Sequence, residues 1–409
     1  MFKKLIWAAL AALLVLSSAA FAEGELVLSK QVIVDGTRIY YAGSLDSGAD
    51  GVYSMNATSS GVNQISDSYM NLLAAAEGNL LALSFSEGNV EYAVLVIAAN
   101  GARTMVYDGY VDHGIEANGR FYWGVGSCAL DGSDVRLLID DREHSYNYYP
   151  LTVDGDYYYY LDWAANSEGV FNEGSYPLGA RLCRLNLTSG AMEQISGYGT
   201  RYLGMDENYV YFTRNGFWVY DNSDDTTYYT SVDEGVFRAD KNTLTTDLLL
   251  AFPQDDNVYV SYTLMSDGVI YGTYSNFTEE GEVSSIVRLT TDGQALTDLN
   301  LDNQSVTLHG VEDGLLYVSV CTIENTGDDY MQHDLLYSIN VEDGSVALIS
   351  TPATDMLYYS EAEPAVGVSF GRIYMLVFDN ETYAISFKTC AVDGSDMITL
   401  ARGYSMAAG

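Results

Sequence analysis

AVGVSFGRIYMLVFDNETYAISFKTCAVDGSDMITL, residues 365–400, reads as four short β-strands in a meander. Ala365–Phe370 is the first, closed by a tight turn at Gly371, and Arg372–Phe378 is the second. Asp379–Thr382 returns the chain into Tyr383–Val392, and Asp393-Gly394-Ser395 turns it into Met397–Leu400. Glycine and Asp-Gly supply the positive φ that a tight hairpin needs. The strands are rich in Val, Ile, Tyr and Phe, side chains that suit a pleated, half-buried surface.

Two pieces of this unit recur along the chain. The first is a turn glycine or asparagine followed three residues later by an aromatic residue or leucine: Gly78/Leu81, Gly119/Tyr122, Gly155/Tyr158, Asn208/Tyr211, Gly268/Tyr271, Gly314/Tyr317 and Gly371/Tyr374, with Gly36/Tyr40 one residue longer. The second is a large or apolar residue, any residue, an apolar residue, then Asn, Asp or Thr. It reads Tyr53–Asn56, Ile97–Asn100, Cys128–Asp131, Cys183–Asn186, Phe237–Asp240, Val287–Thr290, Tyr337–Asn340 and Cys390–Asp393. The two alternate, eight of each. Serial four-stranded meanders predict an all-β chain, a single β-propeller of eight blades over residues 23–409. A lone meander leaves both faces and both edges wet, whereas a ring of them buries every face. The third repeat is short, with room only for a very tight hairpin between Tyr122 and Cys128. Seven blades would result if repeats two and three shared strands.

Residues Gly119–Leu138, GRFYWGVGSCALDGSDVRLL, carry an aromatic pair opening the second strand and an apolar-Asp-Gly-Ser turn before the last. Asp393-Gly394-Ser395 repeats the turn, and Ile39-Tyr40-Tyr41 and Ile373-Tyr374 echo the aromatic pair. In this the chain resembles the YWTD propellers of low-density-lipoprotein-receptor-type proteins, and more closely the secreted bacterial propellers of unknown function grouped beside them. The resemblance implies a fold and names no reaction. The receptor family's Thr-Asp after the aromatic pair is missing, so its internal hydrogen-bond pattern is not carried over.

Lys3 and Lys4, the apolar run Leu5–Ser17 and Ala20-Phe21-Ala22 have the form of a signal peptide, residues 1–22. The run is short for a membrane span, and no second long apolar run follows. Export to the cell envelope or beyond is the expectation. Net charge is −38, and loss of the two lysines of the leader takes it to −40. Such a surface repels phosphate backbones, which excludes nucleic acid as a partner. Thirty-five tyrosines and 48% hydrophobic residues argue for a packed core over acidic disorder.

Cys128, Cys183 and Cys390 share one repeat position, occupied elsewhere by Tyr53, Phe237, Val287 and Tyr337. They read as reduced core residues, and no C-x2-C spacing suggests zinc. The tight turns of a meander lie on one side, and the second turn and the link to the next blade lie on the other. The long connections Asp162–Ala180, Thr213–Gly235, Ser275–Val283 and Cys321–His333 all fall in the second turn. They carry Trp163 and Trp218 beside Phe171, Tyr176, Tyr220, Tyr228 and Tyr229. Aromatic residues in loops offer a platform for a sugar ring or a peptide; packing of the loops onto the rim accounts for each one equally well. Acidic groups Asp221/Asp224/Asp225, Glu279/Glu280/Glu282 and Asp328/Asp329 lie in the same connections without EF-hand spacing. His113, His144, His309 and His333 form no metal-binding pattern, and there is no G-x-S-x-G elbow.

The sequence thus predicts a monomeric, non-catalytic module that binds a carbohydrate or an extracellular protein or peptide, without cofactor or metal. Its ligand-binding residues are expected to be Trp163, Trp218, Tyr176, Tyr220 and Phe171. The alternatives are a propeller hydrolase or lyase acting on a polysaccharide, which needs two placed carboxylates, and a scaffold for a surface assembly.

Overall fold

A computed structural model of the chain describes residues 25–28, 30–44, 50–57, 60–85, 92–142, 144–163, 175–221, 226–279, 281–302, 304–325, 330–350, 355–357, 366–379 and 384–405. The fold is an all-β propeller of eight antiparallel blades, and among the described residues its helical content is one 3-10 turn, Ser145–Asn147. Leu73–Phe252 forms one compact unit, and the chain up to Leu72 and from Pro253 forms another.

Blade 1 is β1 (Glu25–Leu28), β2 (Val32–Asp35), β3 (Arg38–Ser44), β4 (Asp50–Asn56) and β5 (Asn63–Ser66). Blade 2 is β6 (Asn71–Ala76), β7 (Asn79–Phe85), β8 (Tyr92–Ile97) and β9 (Arg103–Asp108). Blade 3 is β10 (Gly114–Ala117), β11 (Arg120–Trp123), β12 (Gly126–Ala129) and β13 (Arg136–Leu137). Blade 4 is β14 (Tyr148–Asp154), β15 (Tyr157–Asp162) and, after the excursion β16 (Ser175–Leu178), β17 (Arg181–Asn186) and β18 (Met192–Gln194). Blade 5 is β19 (Thr200–Met205), β20 (Tyr209–Arg214) and, after the hairpin β21 (Phe217–Asp221) and β22 (Thr226–Thr230), β23 (Gly235–Asp240) and β24 (Thr246–Ala251). Blade 6 is β25 (Val258–Ser266), β26 (Val269–Thr278) and β27 (Gly281–Thr290), with the bridges Ile286–Leu299 and Leu289–Ala295 where a fourth strand would lie. Blade 7 is β28 (Thr307–Glu312), β29 (Leu315–Asn325), β30 (Tyr330–Asn340) and β31 (Val346–Ser350). Blade 8 is β32 (Asp355–Leu357) and β33 (Val366–Ser369), both paired to β34 (Arg372–Asp379), then β35 (Ala384–Ala391) and β36 (Ile398–Ser405).

The short third repeat is a complete blade, so the count is eight and not seven. Trp123 pairs with Gly126, which leaves Gly124 and Val125 as the whole turn. A Cβ on Gly124 would sit 2.4 Å from the Ser145 carbonyl oxygen, so this turn closes only on glycine. The first turns of the blades follow the sequence reading. Glu77/Gly78, Asn118/Gly119, Asp267/Gly268, Asp313/Gly314 and Phe370/Gly371 all have positive φ at both residues, the twist that matches flanking strands. In blades 1 and 4 only the glycine, Gly36 or Gly155, has positive φ, and in blade 5 Asp206 Oδ1 accepts the Asn208 and Tyr209 N–H groups, 2.8 Å each, and forms the turn by side chain.

The second recurring piece contains two kinds of turn. In one, the side chain of the first turn residue caps the loop: Asn186, Asp240 and Asn340 each accept two N–H groups, two and three residues on. In the other, the cap is the third turn residue: Asn100, Asp131 and Asp393 accept the N–H of Ala102, Ser133 and Ser395. Aligning all these polar residues with one another therefore slips the register by two. Ladder closure puts Ala129 and Ala391 level with Asn186. Cys128 and Cys390 thus stand level with Leu185, not with Cys183 as the sequence suggested. A two-residue slip keeps the same side of the pleat, so all three are buried nonetheless, while Cys321 is exposed.

Outer strands are short or interrupted. Register shifts at Val52/Tyr53, Val94/Leu95, Val236/Phe237, Leu336/Tyr337 and Phe387/Lys388 leave one extra residue in β5, β9, β24, β31 and β36. β13 and β18 have two and three residues. Such bulges and short edges discourage pairing with foreign strands.

Blades adhere through their faces. In one unit Leu81 and Val94 of blade 2, Phe121 and Tyr122 of blade 3, and Tyr158 and Cys183 of blade 4 share one core. Tyr122 and Tyr158 stack at 5.5 Å between centroids, and Tyr158 Oη donates to the Gly124 carbonyl at 3.2 Å. In the other unit, clusters join blade 6 to 7, 7 to 8 and 8 to 1. Among the described residues the last blade and the first share no strand: each sheet is finished by the stretch of chain that began it. Side chains pack across the junction. Tyr41 stacks on Phe387 at 6.3 Å, and Leu26 of β1 lies over Gly367 of β33, where a Cβ would be 2.3 Å from Leu26 Cδ1.

His309 sits on the bulge of β28, where Leu308 and Gly310 face consecutive residues of β29. Its Nε2 lies 2.8 Å from Ser319 Oγ. The residue is partly buried, and burial of the ring pushes the imidazole down to about 3. An unfolded histidine titrates near ~6.5. Between these values the unfolded chain binds more protons than the folded one. The contribution of His309 is therefore fully present above the unfolded value and lost as pH falls toward the folded value. Urea unfolding of the His309→Gln variant should show a shallower loss of stability between pH 6.5 and 4 than the parent; equal slopes would contradict a neutral buried ring.

Candidate functional site

The two longest excursions, one from blade 4 and one from blade 5, meet. β16, β21 and β22 form a separate three-stranded antiparallel sheet, in that order. Ser175 pairs with Asp221, Tyr176 with Tyr220, Pro177 with Val219 and Leu178 with Trp218. On the other side Trp218 pairs with Tyr229 and Tyr220 with Thr227. Segments read as loops from their polar surroundings are strands, because Phe217-Trp218-Val219-Tyr220 alternates between two faces. Phe217 and Val219 are buried, with Tyr198 and the partly buried Val232, and anchor the sheet to blade 5. Trp218 points the other way and is 42% exposed, with its partner Tyr229 at 51%; Tyr228, the partner of Val219, stands on the other face and is 37% exposed.

Trp218 and Tyr229 meet edge to face, 5.5 Å between centroids. Glu234 clasps the root of the hairpin: its Oε1 accepts the Gly216 N–H at 2.9 Å and the Tyr229 hydroxyl at 3.1 Å. Burial, and then the Glu234 carboxylate, push the Tyr229 phenol up to about 12. The aromatic pair is thus held by packing and by a charge-assisted hydrogen bond, so little rotamer freedom is left to lose on binding.

The excursion that delivers β16 leaves the blade between Asp162 and Arg181, and these two residues form a buried ion pair. Arg181 Nε and Nη2 donate to Asp162 Oδ2 at 2.9 and 2.8 Å, and Arg181 Nη1 donates to Gln194 Oε1 at 3.2 Å. The guanidinium lies 5.4 Å from the Tyr198 ring centroid, against the same cluster that seats β21. One fork therefore fixes both ends of the blade 4 excursion and touches the base of the blade 5 hairpin.

Of the residues expected from sequence, Trp218 and Tyr220 stand on β21, and Tyr176 is the register partner of Tyr220. Trp163 follows β15, is partly buried, and donates its backbone N–H to the Asn147 carbonyl at 2.8 Å; it is not a member of the three-stranded sheet. Phe171 lies outside the described residues. Tyr229, already noted among the aromatic residues of the long connections, completes the arrangement with Glu234 and the Asp162–Arg181 pair, which the sequence reading did not single out.

The other long connections are extensions of blade hairpins. β26 and β27 stay paired from Val269–Thr290 out to Thr278–Gly281, and β29 and β30 from Leu315–Asn340 out to Asn325–Tyr330. Among the described residues no group of three or more His, Cys, Asp or Glu side chains is placed to hold a metal ion. No described helix is long and apolar enough to cross a membrane. His144 Nδ1 lies 3.0 Å from Asp141 Oδ1, and the His113 ring packs on Tyr149.

No protein-family model matches the chain, and no curated protein is similar to it. Among solved structures it is similar to Porphyromonas gingivalis dipeptidyl peptidase 4, with a TM-score of 0.52 and 11% identity over 97% of this chain and 61% of that one. It is also similar to a structure from an analysis of two prolyl endopeptidases, with a TM-score of 0.48 and 12% identity over 94% of this chain and 56% of that one. An oligogalacturonate lyase from Vibrio parahaemolyticus matches with a TM-score of 0.48 and 10% identity over 87% of this chain and 95% of that one. The chain spans little more than half the length of the two peptidases it matches. At these identities the likeness concerns the fold.

Proposed function

We propose that the chain is an extracytoplasmic propeller that binds a ligand without transforming it, and that the sheet formed by β16, β21 and β22 is the docking surface. Supporting the location are Lys3 and Lys4, the apolar run and Ala20-Phe21-Ala22 at the start of the sequence. The observation that carries the binding reading is the exposure of Trp218 and Tyr229 on one face of a sheet that is anchored by Phe217 and Val219 on its other face. Nothing in the packing of the blades requires these rings to be where they are. Rigid aromatic anchors on a scaffold are the groups that dominate recognition of sugars and peptides.

Trp218→Ala tests the assignment. The side chain is exposed, so stability should change by no more than about 0.5 kcal/mol. Affinity for any ligand found by array screening or by pull-down from the native cell surface should fall roughly tenfold or more. Unchanged binding would place the site elsewhere.

A second reading, a propeller hydrolase or lyase, has in its favour the fold shared with a peptidase. It differs in predicting turnover: oligosaccharide or peptide substrates incubated with the full chain would give products, and carboxylate-to-amide variants would abolish them.

A further inference from the structure

On the reading that this sheet is the docking surface, we infer that its ligand is an extended, basic polypeptide segment that joins the sheet as a fourth strand along β22. Strand addition uses the unpaired backbone groups of an edge for affinity and alternate side chains for specificity. Among the described residues β22 pairs with β21 alone, in unbroken register from Phe217–Thr230 to Asp221–Thr226. Its middle residues, Thr227, Tyr228 and Tyr229, are exposed. In an antiparallel edge strand, alternate N–H and C=O groups point away from the neighbour.

The contrast with the blades is what singles out β22. Outer strands β5, β9, β24, β31 and β36 each carry a bulge, and β13 and β18 are only two and three residues long. β16, at the opposite edge of the same sheet, contains Pro177, which cannot donate to a new ladder. β22, Thr-Thr-Tyr-Tyr-Thr, has no proline, no charge and no bulge. Its β-branched and aromatic residues are those that favour pairing. Those seven outer strands are bulged or short and β27 of blade 6 is bridged to Ala295 and Leu299, whereas β22 is flat along its whole length.

Charge chooses the partner. No lysine or arginine occurs between Arg214 and Arg238, and Asp221, Asp224, Asp225, Asp233 and Glu234 bracket the strand in sequence. Asp233 is exposed, and the chain as a whole carries −38. An acidic or phosphorylated strand would be repelled; one with alternate lysines or arginines would be drawn in and held against the Trp218–Tyr229 pair.

The test titrates the full chain, by calorimetry, with an octapeptide of alternating lysine and valine. Its controls are the glutamate-valine counterpart, cellohexaose, and two lysine-valine peptides N-methylated at every lysine or at every valine. Strand addition engages one edge of the peptide only. The lysine-valine peptide should bind, the glutamate-valine one should bind at least about tenfold more weakly, and one N-methylated form should keep its affinity while the other loses about tenfold or more. Thr227→Lys, at an exposed position, should fold as the parent does and weaken the lysine-valine peptide. Equal binding of both N-methylated forms, or no binding of the basic peptide, overturns the inference. Cellohexaose binding that depends on Trp218, without peptide binding, overturns it while leaving the docking surface in place. Peptide binding that survives Trp218→Ala overturns both.

Discussion

Arg181→Met is expected to destabilise the protein by about 3–5 kcal/mol, the usual cost of stranding one member of a buried ion pair. Asp162 and Arg181 are both nearly inaccessible, 4% and 8% exposed, and two guanidinium N–H groups converge on Asp162 Oδ2. Methionine fills most of the volume but offers no donor, so a buried carboxylate loses its counter-charge. The double variant Asp162→Leu/Arg181→Met removes the charge as well as its partner, and should recover most of the loss. Guanidinium unfolding of the two variants decides the matter: equal midpoints would mean that the pair contributes packing only. A second consequence concerns the site. The same guanidinium lies against Tyr198, beneath β21, and holds both ends of the excursion that supplies β16. Arg181→Met should therefore weaken ligand binding more than its effect on overall stability accounts for, although Arg181 faces away from the aromatic pair.

The junction between blades 8 and 1 is the second sensitive place. Leu26→Ala should cost about 2–5 kcal/mol, as for other fully packed leucines. Gly367→Ala should cost about 1–3 kcal/mol through overpacking, because the new methyl would stand 2.3 Å from Leu26 Cδ1 and 2.6 Å from Cδ2. Combining the two lets the methyl occupy space the leucine has vacated. The double variant should be more stable than the sum of the single losses predicts, by about 0.5–3 kcal/mol. Strict additivity, measured by urea unfolding, would show that Leu26 and Gly367 do not share this contact in solution. The expected loss is large because, among the described residues, blade 1 and blade 8 have no common ladder and meet through a shared cluster of side chains.

What the sequence revealed and what it hid divide along a physical line. Tight turns solve a local problem, and their residues announce the solution. Gly36, Gly78, Gly119, Gly155, Gly268, Gly314 and Gly371 are left-handed because each hairpin needs it, and with the turn at Asn208 they count out eight blades. The second turns were legible as turns but not in register. Asn186 caps from the first position and Asp131 from the third, and both read as a polar residue after an apolar one. Pairing between remote segments has no local signature. Nothing in the composition of residues 175–178 says that they will lie beside residues 218–221, and the sheet that carries Trp218 and Tyr220 was therefore visible only as aromatic residues in long connections. The alternation of Phe217 through Tyr220 was readable in principle; its surroundings of Asn, Asp and Ser obscured it.

Because, among the described residues, no blade sheet lends a strand to the next, each blade is a cassette built from one stretch of chain. Outside blades 4 and 5, whose excursions share the sheet of β16, β21 and β22, tandem duplication or deletion of one whole cassette would leave no orphan strand searching for a partner. Growth of the array from a single ancestral meander could then proceed in whole-number steps, with cohesion between first and last copies refined afterwards by nothing more than the size of the residue at positions such as Leu26 and Gly367.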